Sequence, residues 1–102
     1  MALLYIDTSD RDKIVIGIGQ KMYETDAKKE KNQRLLPFID EVLKKENLIF
    51  KDLTEIKVAT GPGSFTGLRV GVSVAQTIGW VLAIPVNGKD VKNGQTIEIA
   101  YQ

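Results

Sequence analysis

The sequence contains no cysteine and no histidine, and each absence removes a class of chemistry from its 102 residues. Without cysteine there are no disulfides, no thiolate nucleophiles and no thiolate metal ligands. Without histidine there is no imidazole to act as a general acid or base near neutral pH. Catalysis within these residues would have to use carboxylate, lysine or tyrosine groups, and a metal ion would have to be a hard cation held by carboxylates.

An excess of charge is also missing, because 14 basic residues nearly balance 13 acidic ones and leave a net charge of +1. Such a chain has no bulk electrostatic attraction to nucleic acid or to an anionic membrane. Contact with RNA would need a local patch, for which the candidates are Lys28, Lys29, Lys31 and Arg34; the alternative is a solvated loop. Hydrophobic residues make up 43% of the chain, an ordinary share for one globular domain.

Long hydrophobic runs are absent as well. The N-terminal apolar run has no basic flank and ends at Asp7, so it does not resemble a signal peptide. The uncharged segment Val70–Val86 contains Ser73, Gln76 and Thr77 and falls short of the roughly 20 residues that cross a bilayer. We therefore expect a soluble, cytoplasmic protein without a membrane partner.

Strand-like and helix-like patterns alternate along the chain. Period-two isoleucines and a Gly19-Gln20 turn predict a hairpin, whereas apolar residues at helical spacing predict two later helices. The predicted elements are, in order, the strands Ala2–Asp7 (buried on both faces), Lys13–Ile18 and Lys21–Thr25, the helix Gln33–Glu46, the strand Ile56–Thr60, the helix Thr66–Ala83, the strand Ile84–Val86 and an edge strand at Thr96–Tyr101. Through Val86 the order β-β-β-α-β-α-β predicts an α/β fold, a mixed sheet with helices on its faces.

The second predicted helix has more apolar surface than one sheet can cover. At about 100° per residue its apolar side chains form two nearly opposite faces. These are Leu68, Val72, Ala75, Gly79 and Leu82 on one side, and Val70, Val74 and Val81 on the other. Small residues also recur at every fourth position from Gly67 to Ala83, which would allow another backbone to approach closely. We infer that a second subunit covers this helix, the alternative being a well-filled monomer.

The segment "GPGSFTGLR" at Gly61–Arg69 joins a predicted strand to the start of that helix. A helix start favours an anion, yet the spacing is neither that of a P-loop nor that of a dinucleotide fingerprint. Ser64 or Thr66 can instead cap the helix, and Ser64 has no histidine to activate it as a nucleophile. Asp7 can likewise hold a metal–phosphate or cap its own turn. A structural turn and an anion contact both stay open, and the candidate nucleotide- or anion-binding residues are Asp7, Ser9, Gly61, Gly63 and Ser64.

Three segments together resemble the TsaB (YeaZ) family: "YIDTS" near the N-terminus, "NQRLLPFIDEVL" at Asn32–Leu43 and "GPGSFTGLRVGVSVAQTIGWVLAIPV" at Gly61–Val86. The resemblance implies an actin-like, ribonuclease-H-like ATPase fold and a non-catalytic protein of threonylcarbamoyladenosine biosynthesis in transfer RNA. It implies a partner, the related catalytic subunit TsaD, which binds through the two N-terminal helices or is replaced by a second copy in a homodimer. TsaD, aided by the ATPase TsaE, transfers the threonylcarbamoyl group to a transfer-RNA adenosine.

The sequence departs from the family pattern in three places. Lys31-Asn32 stands where the family usually has a histidine before "SQRLLP", and the histidine pair that TsaD-type enzymes need for metal is absent. Family members also continue through a second actin-like subdomain. We therefore expect a minimal or truncated relative with one domain over residues 1–102, in which about 1–86 are the TsaB-like subdomain and 87–102 a divergent segment. Half of the fold supplies half of a nucleotide cleft, so we expect neither ATP with magnesium nor any metal.

Three hypotheses follow for the function. The first is a non-catalytic subunit that binds and activates a TsaD-like partner, with a TsaE-like ATPase as a further partner and only indirect contact with transfer RNA. The second is a nucleotide-binding remnant of an actin-like ATPase or glycoprotease-like enzyme, and the third is a stand-alone homodimeric module. For the first, the predicted interface residues are Leu35, Leu36, Ile39, Leu68, Arg69, Val72, Ala75, Gln76 and Trp80.

Overall fold

The structure is a computed structural model that describes residues 2–100, with the side chain of Lys29 outside the description. Its regular elements are β1 (Ala2–Asp7), β2 (Lys13–Ile18), β3 (Lys21–Asp26), α1 (Lys31–Lys45), β4 (Leu53–Val58) and α2 (Phe65–Leu82). Short 3-10 turns lie at Lys28–Glu30, Phe50–Asp52 and Val91–Asn93. The predicted order of strands and helices is confirmed as far as α2.

The four strands form one mixed sheet in the order β3-β2-β1-β4. β1 is antiparallel to β2, with Ile6 opposite Ile16, and parallel to β4, with Leu4 opposite Ile56. Because β3 runs parallel to β1, the C-terminal ends of β1, β3 and β4 lie at the same edge of the sheet. The chain segments that follow these strands therefore meet there.

The strand predicted at Ile84–Val86 is reduced to a single parallel bridge between Val86 and Ile56. The chain reverses at once, because Asn87 and Gly88 have φ angles of 51° and 76° and the Val86 amide then bonds to Lys89. The amide side chain of Asn87 continues the pairing in place of a strand, at 2.8 Å to the Val58 N–H and 3.0 Å to its carbonyl.

The edge strand predicted at Thr96–Tyr101 is not formed by residues 96–100, and Tyr101 lies outside the described residues. This segment has one backbone hydrogen bond to the main body, 2.7 Å from the Ala100 amide to the Thr60 carbonyl. Val91 joins the core, so part of the segment after residue 86 belongs to the same hydrophobic cluster. A division of the domain near residue 86 stays a prediction.

Both helices cover the same face of the sheet, which corrects the expectation of helices on both faces. In β1, Leu4 and Ile6 are fully buried while Leu3 and Tyr5 are only half-buried, so β1 is not buried on both faces. The buried isoleucines of β2 and β4 share this face and pack with both helices in one core. The alternation of burial is that of a sheet with one covered face.

The small residues of α2 bring the helix against its own sheet. A Cβ atom on Gly71 would lie 2.4 Å from Thr8 Oγ1, and one on Gly67 would lie 2.4 Å from the Thr8 carbonyl oxygen. A Cβ atom on Gly79 would lie 2.5 Å from a methyl group of Val86. The close approach predicted for these residues is therefore made within the chain, and it leaves the opposite face of α2 outward.

We expect Gly71→Ala to destabilise the protein by about 1–3 kcal/mol, because the added methyl group overlaps the Thr8 hydroxyl. Alanine normally stabilises a helix interior by about 0.5–1 kcal/mol relative to glycine, so the expected sign is reversed. Urea unfolding followed by circular dichroism measures the difference. Ser73→Ala, at an exposed position of α2, is the matched control and should change stability by less than about 0.5 kcal/mol. A more stable Gly71→Ala protein would contradict this packing.

Candidate functional site

The turn after β1 and the starts of α1 and α2 meet around Thr8, which is fully buried. Its hydroxyl donates a hydrogen bond to the Gly67 carbonyl at 2.6 Å. Its own carbonyl accepts one from the Lys31 ammonium at 3.2 Å, and Lys31 also donates to the carbonyl of Asp10. One side chain from β1's end and one from α1 thus tie three segments together.

Lys31 is a buried cation, with 6% of its surface exposed. Burial lowers the pKa of its ammonium group from 10.5, although the negative charges of Asp10, Asp12 and Asp7 act in the opposite direction. Its printed hydrogen-bond partners are carbonyl oxygens, which carry only partial charge. The ammonium therefore holds the fold together while its full charge is compensated at a distance.

The carboxylate of Asp7 is engaged in its own turn. One oxygen accepts hydrogen bonds from the Ser9 amide at 2.9 Å and from the Ser9 hydroxyl at 2.5 Å. The other accepts from the Tyr5 hydroxyl at 3.1 Å, and partial burial, followed by the charge and hydrogen bond of Asp7, raises the pKa of Tyr5. This is the geometry of a carboxylate that caps a turn.

The glycine loop leads directly into α2. Ser64 caps the helix, its hydroxyl accepting from the Gly67 amide at 3.3 Å, and its amide donates to the Ser9 carbonyl at 2.9 Å. Gly63, at φ 153°, packs so closely that a Cβ atom there would lie 2.6 Å from Ser9 Cβ. Gly61, which precedes Pro62 through a cis peptide bond, faces Ala100 instead.

The structure thus brings four of the five candidate anion-binding residues together and places Gly61 apart from them. Within residues 2–100 no group of three or more acidic side chains is arranged to hold a metal ion. The contacts around Asp7, Ser9 and Ser64 are those of a structural turn and cap. An anion contact at these residues stays a prediction.

The predicted helical interface is divided by burial. Side chains that face the sheet lie in the core and cannot contact a partner in this structure; they are Leu35, Ile39, Leu68, Val72 and Ala75. The outward members are Leu36, Arg69, Gln76 and Trp80, of which Leu36 is 49% and Trp80 56% exposed. The helical wheel grouped these residues correctly by face but assigned the sheet-facing side to the partner.

An apolar groove of about 330 Å³ runs between the outward sides of α1 and α2. Leu36 contributes from α1, Val74 and Val81 from α2, and Phe50 from the turn before β4. Val81 is 64% exposed. Sequence periodicity found Val74 and Val81 as a second apolar face but missed Phe50, because a single aromatic residue in a turn has no period.

The same surface extends toward the start of α2. A second cavity of about 410 Å³ is lined there by Asn32, Phe65, Arg69 and Val70, next to Val74. The Arg69 guanidinium lies 5.7 Å from the centre of the Phe65 ring. We call the exposed surface formed by this cavity, the groove and Trp80 the helical face.

The predicted basic cluster does not form one surface. Lys31 points inward, and Arg34 pairs with Glu30 at 3.2 Å within α1. Lys28 is exposed, and the side chain of Lys29 lies outside the described residues. Burial of Lys31 and the local pairing of Arg34 explain why the four charges do not combine.

The mixed sheet, with two helices on one face, defines an actin-like, ribonuclease-H-like ATPase fold. The solved structure of YeaZ from Pseudomonas aeruginosa matches it with a TM-score of 0.72 at 27% identity, over 83% of this chain and 41% of that one. The family model described as "TsaD: tRNA N6-adenosine threonylcarbamoyltransferase" matches residues 22–89.

Curated relatives carry the same name in two organisms. The tRNA threonylcarbamoyladenosine biosynthesis protein TsaB of Bacillus subtilis (strain 168) is 38% identical over 95 residues, which is 85% of this chain and 40% of the relative. TsaB of Buchnera aphidicola subsp. Schizaphis graminum is 35% identical over 84% of this chain and 42% of the relative. The chain belongs to the TsaB (YeaZ) family. It spans about two fifths of the length of these relatives.

Helix length and hydropathy also bear on membrane insertion. Among residues 2–100, neither α-helix combines the length and the apolar character that a bilayer crossing requires.

Comparison of the wild type with Lys31→Met tests the buried ammonium. A folded-state pKa below 10.5 means that, as pH rises toward 10.5, the unfolded state binds more protons at this position than the folded state. The free energy of unfolding of the wild type should therefore rise relative to that of the variant over this alkaline range. Groups common to both proteins, such as Tyr5, cancel in the difference.

Urea unfolding of both proteins at several alkaline pH values, in phosphate-free buffer, provides this difference. A difference that stays constant or narrows as pH rises would show that burial does not lower the pKa of Lys31.

Proposed function

We propose that this chain is a non-catalytic subunit of the machinery that makes threonylcarbamoyladenosine in transfer RNA. It would bind a TsaD-type catalytic subunit through the helical face and so activate it. A TsaE-like ATPase would be a further partner, and contact with transfer RNA would be indirect. The proposal extends to this chain what the names of its relatives say of them.

The observation that carries the proposal is the apolar groove between α1 and α2. Leu36, Trp80 and Val81 each expose about half or more of their surface on the same side of the domain. Large apolar side chains grouped on a rim of polar ones are typical of protein–protein contact, and tryptophan and arginine are frequent anchors there. Ser73, Thr77 and Arg69 provide such polar positions beside the groove.

A partner with a similar pair of helices fits this surface. The family model that matches residues 22–89 describes a TsaD-type protein, and those residues include both α1 and α2. Two such helix pairs could pack face to face, with the side chains of one pair filling the groove of the other. The buried residues Leu35, Ile39 and Leu68 would support this face by holding the helices on the sheet.

A nucleotide-binding remnant is the second candidate, because Asp7, Ser9 and Ser64 are brought close together at the strand ends. Their hydrogen bonds are directed to one another and to Gly67. A bound nucleotide would stabilise the folded state by mass action and raise the melting temperature. An increase that requires both ATP and magnesium would favour this candidate.

The decisive experiment is sedimentation of the chain alone and with the TsaD-type subunit from the same source. We expect a mixed complex for the wild type, and at least tenfold weaker association for Val81→Lys, because a charge would be buried in the apolar groove. Met22→Lys is the matched control, since Met22 is 60% exposed on β3, away from the helices, and this variant should associate normally.

Circular dichroism should show that both variants remain folded, because both positions are exposed. Association of Val81→Lys at wild-type strength would exclude the helical face as the contact. A wild-type homodimer that does not exchange with the TsaD-type subunit would instead support the stand-alone homodimeric module.

A further inference from the structure

We propose that the cavity between the β1–β2 turn and the starts of α1 and α2 binds a phosphate-type oxyanion. The cationic groups of this site are Arg11, Lys28 and Lys31. The site is separate from the helical face and from the turn formed by Asp7 and Ser9, so it does not depend on the proposed function.

The cavity has a volume of about 440 Å³ and is lined on several sides by groups that bind anions. Arg11 comes from the β1–β2 turn, Lys28 and Lys31 from the segment that enters α1, and the hydroxyl residues Ser64 and Thr66 from the start of α2. No acidic residue is among the described residues that line it. Three cationic side chains in one cavity are a strong local concentration in a chain whose net charge is only +1.

The buried ammonium of Lys31 is the observation that points to a ligand. Charged groups that are removed from water are normally paired with an opposite charge. Within residues 2–100 Lys31 forms no ion pair, and two of its three possible hydrogen bonds go to the carbonyls of Thr8 and Asp10. An anion in the adjoining cavity would supply the missing negative charge and accept the third hydrogen bond.

The other two cations are available for the same ligand. Arg11 and Lys28 are exposed, and neither forms an ion pair with a described residue. A guanidinium group can hold two oxygens of a phosphate at once, whereas an ammonium acts as a point charge. The two helix starts at this cavity carry no acidic residue in their first turns, so their positive ends add to the attraction.

The nearby carboxylates do not occupy the cavity. Asp7 is hydrogen-bonded to Ser9 and Tyr5, and Asp10 accepts from the Asp12 amide at 2.8 Å. Their negative charges raise the pKa of Lys31 from a distance and keep the ammonium protonated near neutral pH. They therefore preserve the positive charge that an oxyanion would bind.

The test is an NMR titration of the whole chain with inorganic phosphate, at neutral pH and at an ionic strength held constant with chloride. We expect saturable shifts of the amide signals of Ser64, Thr66 and Gly67. Arg11→Ala and Lys28→Ala should each weaken binding by roughly five- to tenfold, and the double variant should weaken it further. Both residues are exposed, so the variants should fold.

Lys51→Ala is the control, because it removes one exposed positive charge outside the residues that line the cavity. This variant should bind phosphate as the wild type does. Shifts that increase linearly without saturation, or an equal loss of binding in Lys51→Ala and Arg11→Ala, would overturn the proposal by showing only diffuse electrostatic attraction.

Two further titrations distinguish the sources of the oxyanion. Ribose 5-phosphate binding at least as tightly as inorganic phosphate would indicate that the site accepts a phosphoryl group carried by a larger molecule. Binding of inorganic phosphate alone would indicate a site for the free ion. Either result supports the site, and absence of saturable binding by both probes excludes it.

Discussion

The contact between Thr8, Gly67 and Lys31 is the constraint on which the rest of the structure depends. Thr8 ends the central strand and is fully buried against the first turn of α2, where only a glycine leaves room for its carbonyl and hydroxyl. Lys31 then fastens the start of α1 to the same strand end. Because both helices are fixed at this point, their outward sides are held in one orientation relative to each other.

This constraint separates two surfaces with different chemistry. On the sheet-facing side, the glycines of α2 let the helix approach β1 and Val86 so closely that the core fills without them. Larger residues such as Val74 and Val81 are consequently left on the other side, where they form the apolar groove with Leu36. The polar cavity lies at the helix starts instead, where charge and helix dipoles favour an anion rather than an apolar partner.

The position of Lys31 shows how one residue serves both the fold and a candidate site. A lysine places a permanent charge on a long side chain, which here reaches across α1 to two carbonyl groups of the β1–β2 turn. The family usually has a histidine there, a shorter group whose charge depends on pH near neutrality. The lysine keeps the positive charge at this junction throughout the neutral range, although its burial opposes that charge.

Local pattern was sufficient for the elements themselves: β1, β2 and both helices follow from apolar spacing and turn residues, and their segments already resembled one family. Tertiary structure alone decided which side of each element faces inward. Periodicity located two apolar faces on α2, but only the close packing of Gly71 on Thr8 determined that the Leu68 face meets the sheet and the Val81 face meets solvent. It likewise turned Lys31 away from the basic cluster, because hydrogen bonds to the carbonyls of Thr8 and Asp10 join residues that are distant in sequence. Spacing along a chain reports which residues share a face, whereas burial depends on what packs against that face.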